Sequence, residues 1–357
     1  MSISERLLGK KNANGKPQIE AVSPDFALPG GEIRIVGKSL RPAELRRPRV
    51  LFGDVEGSVL ISSDDFLVAR VPEGAASGAV VVTTSIAGTN GHSSNAHPIK
   101  VAVPVAGNLH PVTNPALDRE GNIYVTFSGI RGQKTPVSIF KIDTNHNVKP
   151  FLSDMMNATS IAFDRAGEMY VSSRHDEAVY KVAPNGTMST YAEGMGIATG
   201  IAFDREENLY VGDRSGTIFK IARDRQIFVF ATLEPSVSAY HIAFGPHGDM
   251  FVTGPSTSSV DSVYRVDPHG TVSTFYSGLG RPQGLAVDVD GNIYVAASLG
   301  GKRGIVKITP QAKANLEVSG QGLVGIAFAP NKSAILATND AVHHISWNIQ
   351  GSQLPPE

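Results

Sequence analysis

Residues 284–295 read GLAVDVDGNIYV: an apolar run, an acidic turn carrying Gly-Asn, and a second apolar run. The phrase returns as PALDREGNIYV (115–125), SIAFDRAGEMYV (160–171), GIAFDREENLYV (200–211), HIAFGPHGDMFV (241–252) and, more loosely, GIAFAPNKSAILA (325–337). Its aligned positions Asp118, Asp164, Asp204, Gly245, Asp288 and Ala329 recur at intervals of 40 to 46 residues. That period suits a four-stranded propeller blade and not a helical repeat. The chain is therefore expected to be all-β, with a six-bladed β-propeller over residues 101–350.

Within one repeat the pattern predicts an inner strand (161–163), a turn at Asp164 and Gly167, a second strand (169–172), a third (178–182), a turn at Pro184-Asn185-Gly186 and an outer strand (188–192). The last repeat is one strand short, because Gly351, Pro355 and Pro356 make a poor strand after Trp347. Register places Val101–Val105 at the missing position, so an N-terminal segment is expected to close the ring as the outer strand of the last blade. Closure removes the free sheet edges that an open propeller would expose.

Residues 1–16 are polar and read as a flexible lead-in with at most one helical turn around 4–8, and 351–357 as a tail. Between them, 17–100 has another texture: alternating Ile33/Ile35 and Val80/Val82 with Pro-Gly and Gly-rich turns, the pattern of short antiparallel strands with one buried face. Pro17 and Ile19, Ser23-Pro24, Gly30-Gly31, Ile35 with Gly37 and Leu40, Phe52-Gly53, Val71-Pro72 and Gly78 together resemble the IPT/TIG immunoglobulin-like domain. That resemblance implies an N-terminal β-sandwich acting as a spacer or contact module. The repeats in turn resemble NHL repeats and the six-bladed SMP-30/gluconolactonase-like propellers, carried by Arg281-Pro282, residues 284–288, 290–295 and Asp213.

Composition narrows the function. A formal charge of −1 gives no global field to concentrate on nucleic acid or an anionic membrane, so neither is an expected partner. There is no cysteine, hence no disulfide, thiolate nucleophile or Cys-based zinc site. Without an apolar leader or spanning run, the default compartment is the cytoplasm.

The repeated aspartates lie in Asp-x-x-Gly-Asn hairpin turns, where a carboxylate accepts backbone N–H groups, so they are assigned to structure. Function is sought at the channel mouth formed by blade-to-blade loops and the loops between second and third strands. Resemblance to SMP-30-type lactonases implies that side chains just before the inner-strand Gly would hold a divalent cation (Ca, Mg or Zn). Here those positions are Thr113, Thr159, Thr199, Tyr240, Gln283 and Val324, none a carboxylate, whereas a hard cation needs several oxygen ligands. No cofactor or metal is expected on the favoured reading.

One position on, His241 stands where the other repeats have Asn114, Ser160, Gly200, Gly284 and Gly325. It is the candidate base and Tyr240 the candidate donor. Arg131, Lys134, Arg174, His175, Arg214, Lys302 and Arg303 are expected near the same mouth, offset by Asp176, Glu177, Asp213 and Asp340. In the first domain Arg41, Arg46, Arg47 and Arg49 cluster with Glu44 as exposed surface. The favoured function is a non-catalytic binding or scaffold protein whose channel mouth takes a small polar molecule or a protein, with Thr159, Thr199, Arg174, Arg214, Tyr240, His241 and Gln283 as contacts. The alternative is a hydrolase or lyase acting on a lactone or sugar-like substrate, with His241 as base.

Overall fold

A computed structural model of the chain describes residues 15–41, 47–84, 91–127 and 135–352. Most of the lead-in, Glu44 with Arg46, Arg131 with Lys134, and the last five residues of the expected tail lie outside them. All named elements of the described residues are β-strands. The chain divides into two compact units, residues 1–102 with 317–321, and residues 103–316 with 322–357.

In the first unit, Gln18–Ser23, Glu32–Lys38, Phe66–Arg70 and Val55–Ser62 pair antiparallel in that order. Arg49–Phe52, Gly78–Thr83 and His97–Val101 form a second antiparallel group, joined to the first where Val50 faces Gly57. Alternation makes one face of each strand apolar. Ile33, Ile35, Val50, Phe52, Leu67, Val80 and Val82 are buried together in one core.

The second unit is built from antiparallel four-stranded meanders in a propeller-like ring. Four stand as separate sheets: residues 116–152, 158–193, 198–232, and the sheet of Leu323–Phe328, Ser333–Thr338, Val342–Ser346 and Val103–Ala106. Six separate blades were expected; the strands of the fourth and fifth repeats instead run on in one sheet. The cause is local: the outer strand Val272–Gly280 continues far enough for Leu279 and Gly280 to pair with Leu299 and Ser298 of the next repeat. Ring closure comes from Val103–Ala106, with Val342 opposite Ala106, His343 opposite Pro104 and His344 opposite Val103. The closing segment starts two residues later than the sequence pattern places it, since Val101 pairs within the first unit.

The cores of this unit lie between consecutive sheets. One joins Ala329, Ile335 and Val342 of the last repeat to Leu117, Ile123 and Val125 of the first, and others join repeats one to two, two to three, three to four and four to five. Each sheet thus buries its apolar faces only by lending them to its neighbours.

The hairpin aspartates organise each repeat. Asp288 is buried; its Oδ1 accepts the Asp290 and Asn292 backbone N–H groups at 3.0 and 2.8 Å, and its Oδ2 accepts Asn292 Nδ2 at 2.7 Å and the Tyr294 hydroxyl at 3.1 Å. Asp118 repeats this with Asn122 and Tyr124, Asp164 with Glu168 N–H and Tyr170, and Asp204 with Asn208. Asp288→Ala strips the acceptor from a buried hydroxyl and a buried amide and is expected to cost about 3 kcal/mol in urea unfolding. Asp143→Ala removes equally many bonds from an exposed turn and should cost less than about 1 kcal/mol.

Candidate functional site

The inner strand of each repeat has a partner on one side only. Its other edge faces the ring axis, so a row of backbone N–H and C=O groups needs water or a ligand to bond. These edges wall a cavity of about 350 Å³ lined by Pro115–Leu117, Ser160–Arg165, Ile201–Arg205, His241–Gly245, Leu285–Val287 and Ile326–Phe328.

One end of the cavity is narrow. Asn114 reaches across it, its Nδ2 donating to Leu285 O at 2.8 Å and its Oδ1 accepting Ile326 N–H at 3.0 Å. Gly284 and Gly325 are what admit it: a Cβ at either would collide with Asn114. Ser160 and His241 complete this floor. At the opposite end the lining reaches Asp164-Arg165, Asp204-Arg205, Glu207, Gly351 and Ser352. Arg165 and Arg205 are exposed while His241 is 4% exposed, so the cavity opens at the hairpin end. The sequence pattern had pointed to the rim at the other end of the same strands.

His241 is the unusual group. Its ring makes no hydrogen bond to the described residues and lines the cavity, and unlike His343 Nδ1 its nitrogens are not among the polar atoms sealed from solvent without a partner. Burial pushes its pKa down from 6.5 to about 4, so the imidazole is neutral at physiological pH and presents one donor and one acceptor nitrogen.

The other expected contacts lie elsewhere and do not line the cavity. Thr159 donates to Asn157 O at 2.9 Å, and Thr199 donates to Gly212 O at 2.7 Å while accepting Tyr240 N–H at 3.1 Å. Tyr240 is buried in the core between the third and fourth repeats, with its hydroxyl on Glu234 O. Arg214 donates to the carbonyls of Ser236 and Val237 at 3.4 and 3.1 Å. Gln283 Oε1 accepts from the Arg303 guanidinium, which burial, then Arg281, lowers to about 10. Arg174 is half-buried, its N–H on Asn157 O at 3.4 Å. Of these, Thr199 with Tyr240 links the third repeat to the fourth and Arg214 reaches the loop between them, whereas Thr159 and Gln283 bond within their own repeats.

The positions that the lactonase resemblance assigns to a cation do not fit one. Thr113 Oγ1 donates to Thr159 O at 2.6 Å, the oxygens of Thr199, Tyr240 and Gln283 are engaged as above, and Val324 offers none. Among the described residues no group of three or more His, Asp or Glu is placed to hold a metal ion.

No family model matches the chain, and no curated protein matches it. Solved structures do. An auxiliary nutrient binding protein from Bacteroides thetaiotaomicron aligns over 94% of this chain and 98% of its own, with a TM-score of 0.56 and 13% identity. One from Bacteroides ovatus aligns over the same shares with a TM-score of 0.53 and 13% identity. A gluconolactonase from Xanthomonas campestris aligns over 68% of this chain and 88% of its own, with a TM-score of 0.57 and 12% identity. At such identities the likeness is one of fold, and it establishes a propeller-type architecture. No helix among the described residues is long and apolar enough to cross a membrane.

Sequence reasoning missed Asn114, Ser160 and the cavity's open end. The signal was present, because Asn114 and Ser160 occupy the repeat position of His241. Gly351-Ser352 also had a detectable role that the tail reading passed over: Ser352 donates its N–H to Val287 O at 2.8 Å and its hydroxyl to Phe244 O at 3.0 Å.

The depressed His241 pKa makes stability depend on pH. Between 6.5 and about 4 the unfolded chain takes up a proton that the folded chain refuses, so this stability is complete above 6.5 and lost on acidification. Urea titrations between about pH 7 and about pH 4.5 should show a loss of about 2 kcal/mol from this group, absent in His241→Phe. His343 and His344, also lowered by burial, act in the same direction in both proteins.

Proposed function

We propose that the chain is a binding protein whose propeller cavity takes a small polar ligand, bonded at its inner end by His241. The observation that carries this is the buried imidazole lining the cavity without a hydrogen-bond partner among the described residues. A ring nitrogen that opens on the cavity can bond a ligand there, and one such hydrogen bond contributes about 1 kcal/mol net of the water it replaces. The floor is uncharged at neutral pH, since Asn114 and Ser160 are neutral and His241 stays deprotonated. A neutral ligand carrying both hydroxyl and carbonyl groups suits it, with strand-edge N–H and C=O groups along the walls as further partners.

Catalysis is poorly supported by the same geometry. Among the described residues His241 has no carboxylate or nucleophile bonded to it, and a base without an orienting group or an adjacent acid is an incomplete system. The nutrient-binding proteins whose fold it shares are consistent with a binding role. The lactonase likeness is the source of the second reading, a hydrolase or lyase. The finer architecture goes with the proposal: the meanders of repeats four and five count as two further blades, giving six inner strands around one cavity, and the N-terminal unit is an IPT/TIG-like sandwich that serves as a spacer.

The test is a thermal-shift and calorimetric screen of neutral sugars, sugar lactones and small amides, with turnover followed in parallel. A binder should lose about tenfold in affinity in His241→Ala, the loss of one hydrogen bond, with the unfolding temperature at neutral pH retained. Lactone turnover abolished by His241→Ala would replace this reading with the hydrolase.

A further inference from the structure

The ring is closed by a strand unlike the other outer strands. Val103–Ala106 comes from the N-terminal side of the repeats and meets Val342–Ser346 at the far end of the array, so no short turn joins the two. It pairs at three positions, fewer than the outer strands of the first four repeats, and its register shifts between Val342 and His343. At one of these positions stands Pro104, which has no N–H to give. Val103 and Pro104 are exposed, and the strand has a partner on one side only. An element with so few backbone bonds and so little burial opens locally at a lower free-energy cost than the strands around it.

Opposite Pro104 lies His343, whose Nδ1 is sealed from solvent and has no hydrogen-bond partner among the described residues. A neutral imidazole accommodates this by carrying its one hydrogen on Nε2. An imidazolium cannot, because it has an N–H at both nitrogens and the one at Nδ1 would be a charged donor without an acceptor. The flanking strands, Val103–Ala106 and Ser333–Thr338, contain no titratable residue, and Asp340, in the turn before the histidines, is exposed. Among the described residues no neighbouring charge acts on His343, whose pKa is lowered from 6.5 by burial alone. The next residue, His344, is lowered by burial and then by His146 of the first repeat. Closure is therefore complete above 6.5 and weakens as the pH falls, the sign expected of a group that folding holds neutral.

We propose that the seam between the last repeat and the first is an acid-operated clasp: a proton taken up by His343 releases Val103–Ala106 from Val342–Ser346, since lifting that strand is what brings water to Nδ1. His344, opposite Val103, adds like-charge repulsion with His146 in the same direction. The third strands of the first five repeats contain no histidine, so acid loosens the ring at this one pairing of third and outer strands. The clasp rests on the seam alone and is independent of the ligand proposed for the cavity.

Hydrogen–deuterium exchange of the full chain tests it, read by mass spectrometry at about pH 7 and about pH 5 and corrected for the intrinsic pH dependence of amide exchange. Amides of 103–106 and 342–346 are expected to lose at least about tenfold in protection at the lower pH, while those of 169–193 keep theirs to within about threefold. His343→Phe should abolish the difference. Should that variant fail to fold, His343→Gln, which also has no charge to gain, serves the same purpose. His241→Phe removes another histidine whose pKa burial lowers, and it should leave the response of the seam intact. Seam protection equal at the two pH values, a loss shared equally by all repeats, or a response that survives both His343 variants overturns the proposal.

Discussion

The tyrosine of the second strand and the phenylalanine that ends the next inner strand hold the ring together. Tyr124 meets Phe163, Tyr170 meets Phe203, Tyr210 meets Phe244 and Tyr294 meets Phe328, edge to face, with centroids 5.5, 5.0, 5.1 and 5.2 Å apart. Such contacts add about 0.5–1.5 kcal/mol each beyond the area they bury. The hydroxyls of Tyr124, Tyr170 and Tyr294 are anchored on hairpin aspartates, and a lysine from the third strand lies over the ring of each of the four tyrosines. Burial first, and then the nearby Asp, raises the pKa of Tyr124, Tyr170 and Tyr210. The Asp-x-x-x-x-x-Tyr spacing therefore fixes the hairpin and, through the phenylalanine, the position of the next inner strand. Because inner strands wall the cavity, the cavity's width follows from the same contact.

Where the spacing lapses, the ring is completed by other means. The fourth repeat has Gly245 and Phe251 in place of Asp and Tyr, and Phe251 turns to Phe275 of its own repeat at 5.2 Å. The last has Ala329 and Ile335, which pack on Leu117 and Ile123 of the first repeat. Trp347 meets Tyr294 edge to face at 5.3 Å, and the chain then crosses the hairpin side of the ring to bond Asp288, Val287 and Phe244 through Gly351 and Ser352. One side of the open end is thus covered by this backbone crossing. The other carries the hairpin arginines, with Arg165 donating to Arg205 O at 3.0 Å.

The repeats were legible because hairpin chemistry is local: Asp, Gly, Asn and Tyr must fall at set distances along the chain whatever lies around them. Closure was legible for the same reason, since one missing strand leaves a register that an upstream segment must fill. The segment moved from 101–105 to 103–106 because Val101 is claimed by His97–Val101, a competition invisible to a one-dimensional pattern. Thr159, Thr199 and Gln283 were harder. Their side chains are polar and sit near the axis, but whether a hydroxyl meets a ligand or a neighbour's carbonyl depends on the spacing between sheets. The open end was misplaced because repeat alignment locates both ends of the inner strands and cannot tell which one Asn114 closes.

His241 illustrates how a repeat protein acquires an individual site. Of the six aligned positions, two bear side chains that bond across to neighbouring strands, three are glycines, and one is a histidine that bonds nothing among the described residues. Ile201 N–H reaches Ser160 Oγ at 3.4 Å, and Asn114 satisfies two backbone groups, so both stabilise the ring in the way expected of buried polar side chains. The His241 imidazole, 4% exposed as a residue, instead lines the cavity and has no hydrogen bond to the described residues. An imidazole at the inner end of the cavity, where three repeats carry glycine, is the difference on which the proposal of ligand binding rests.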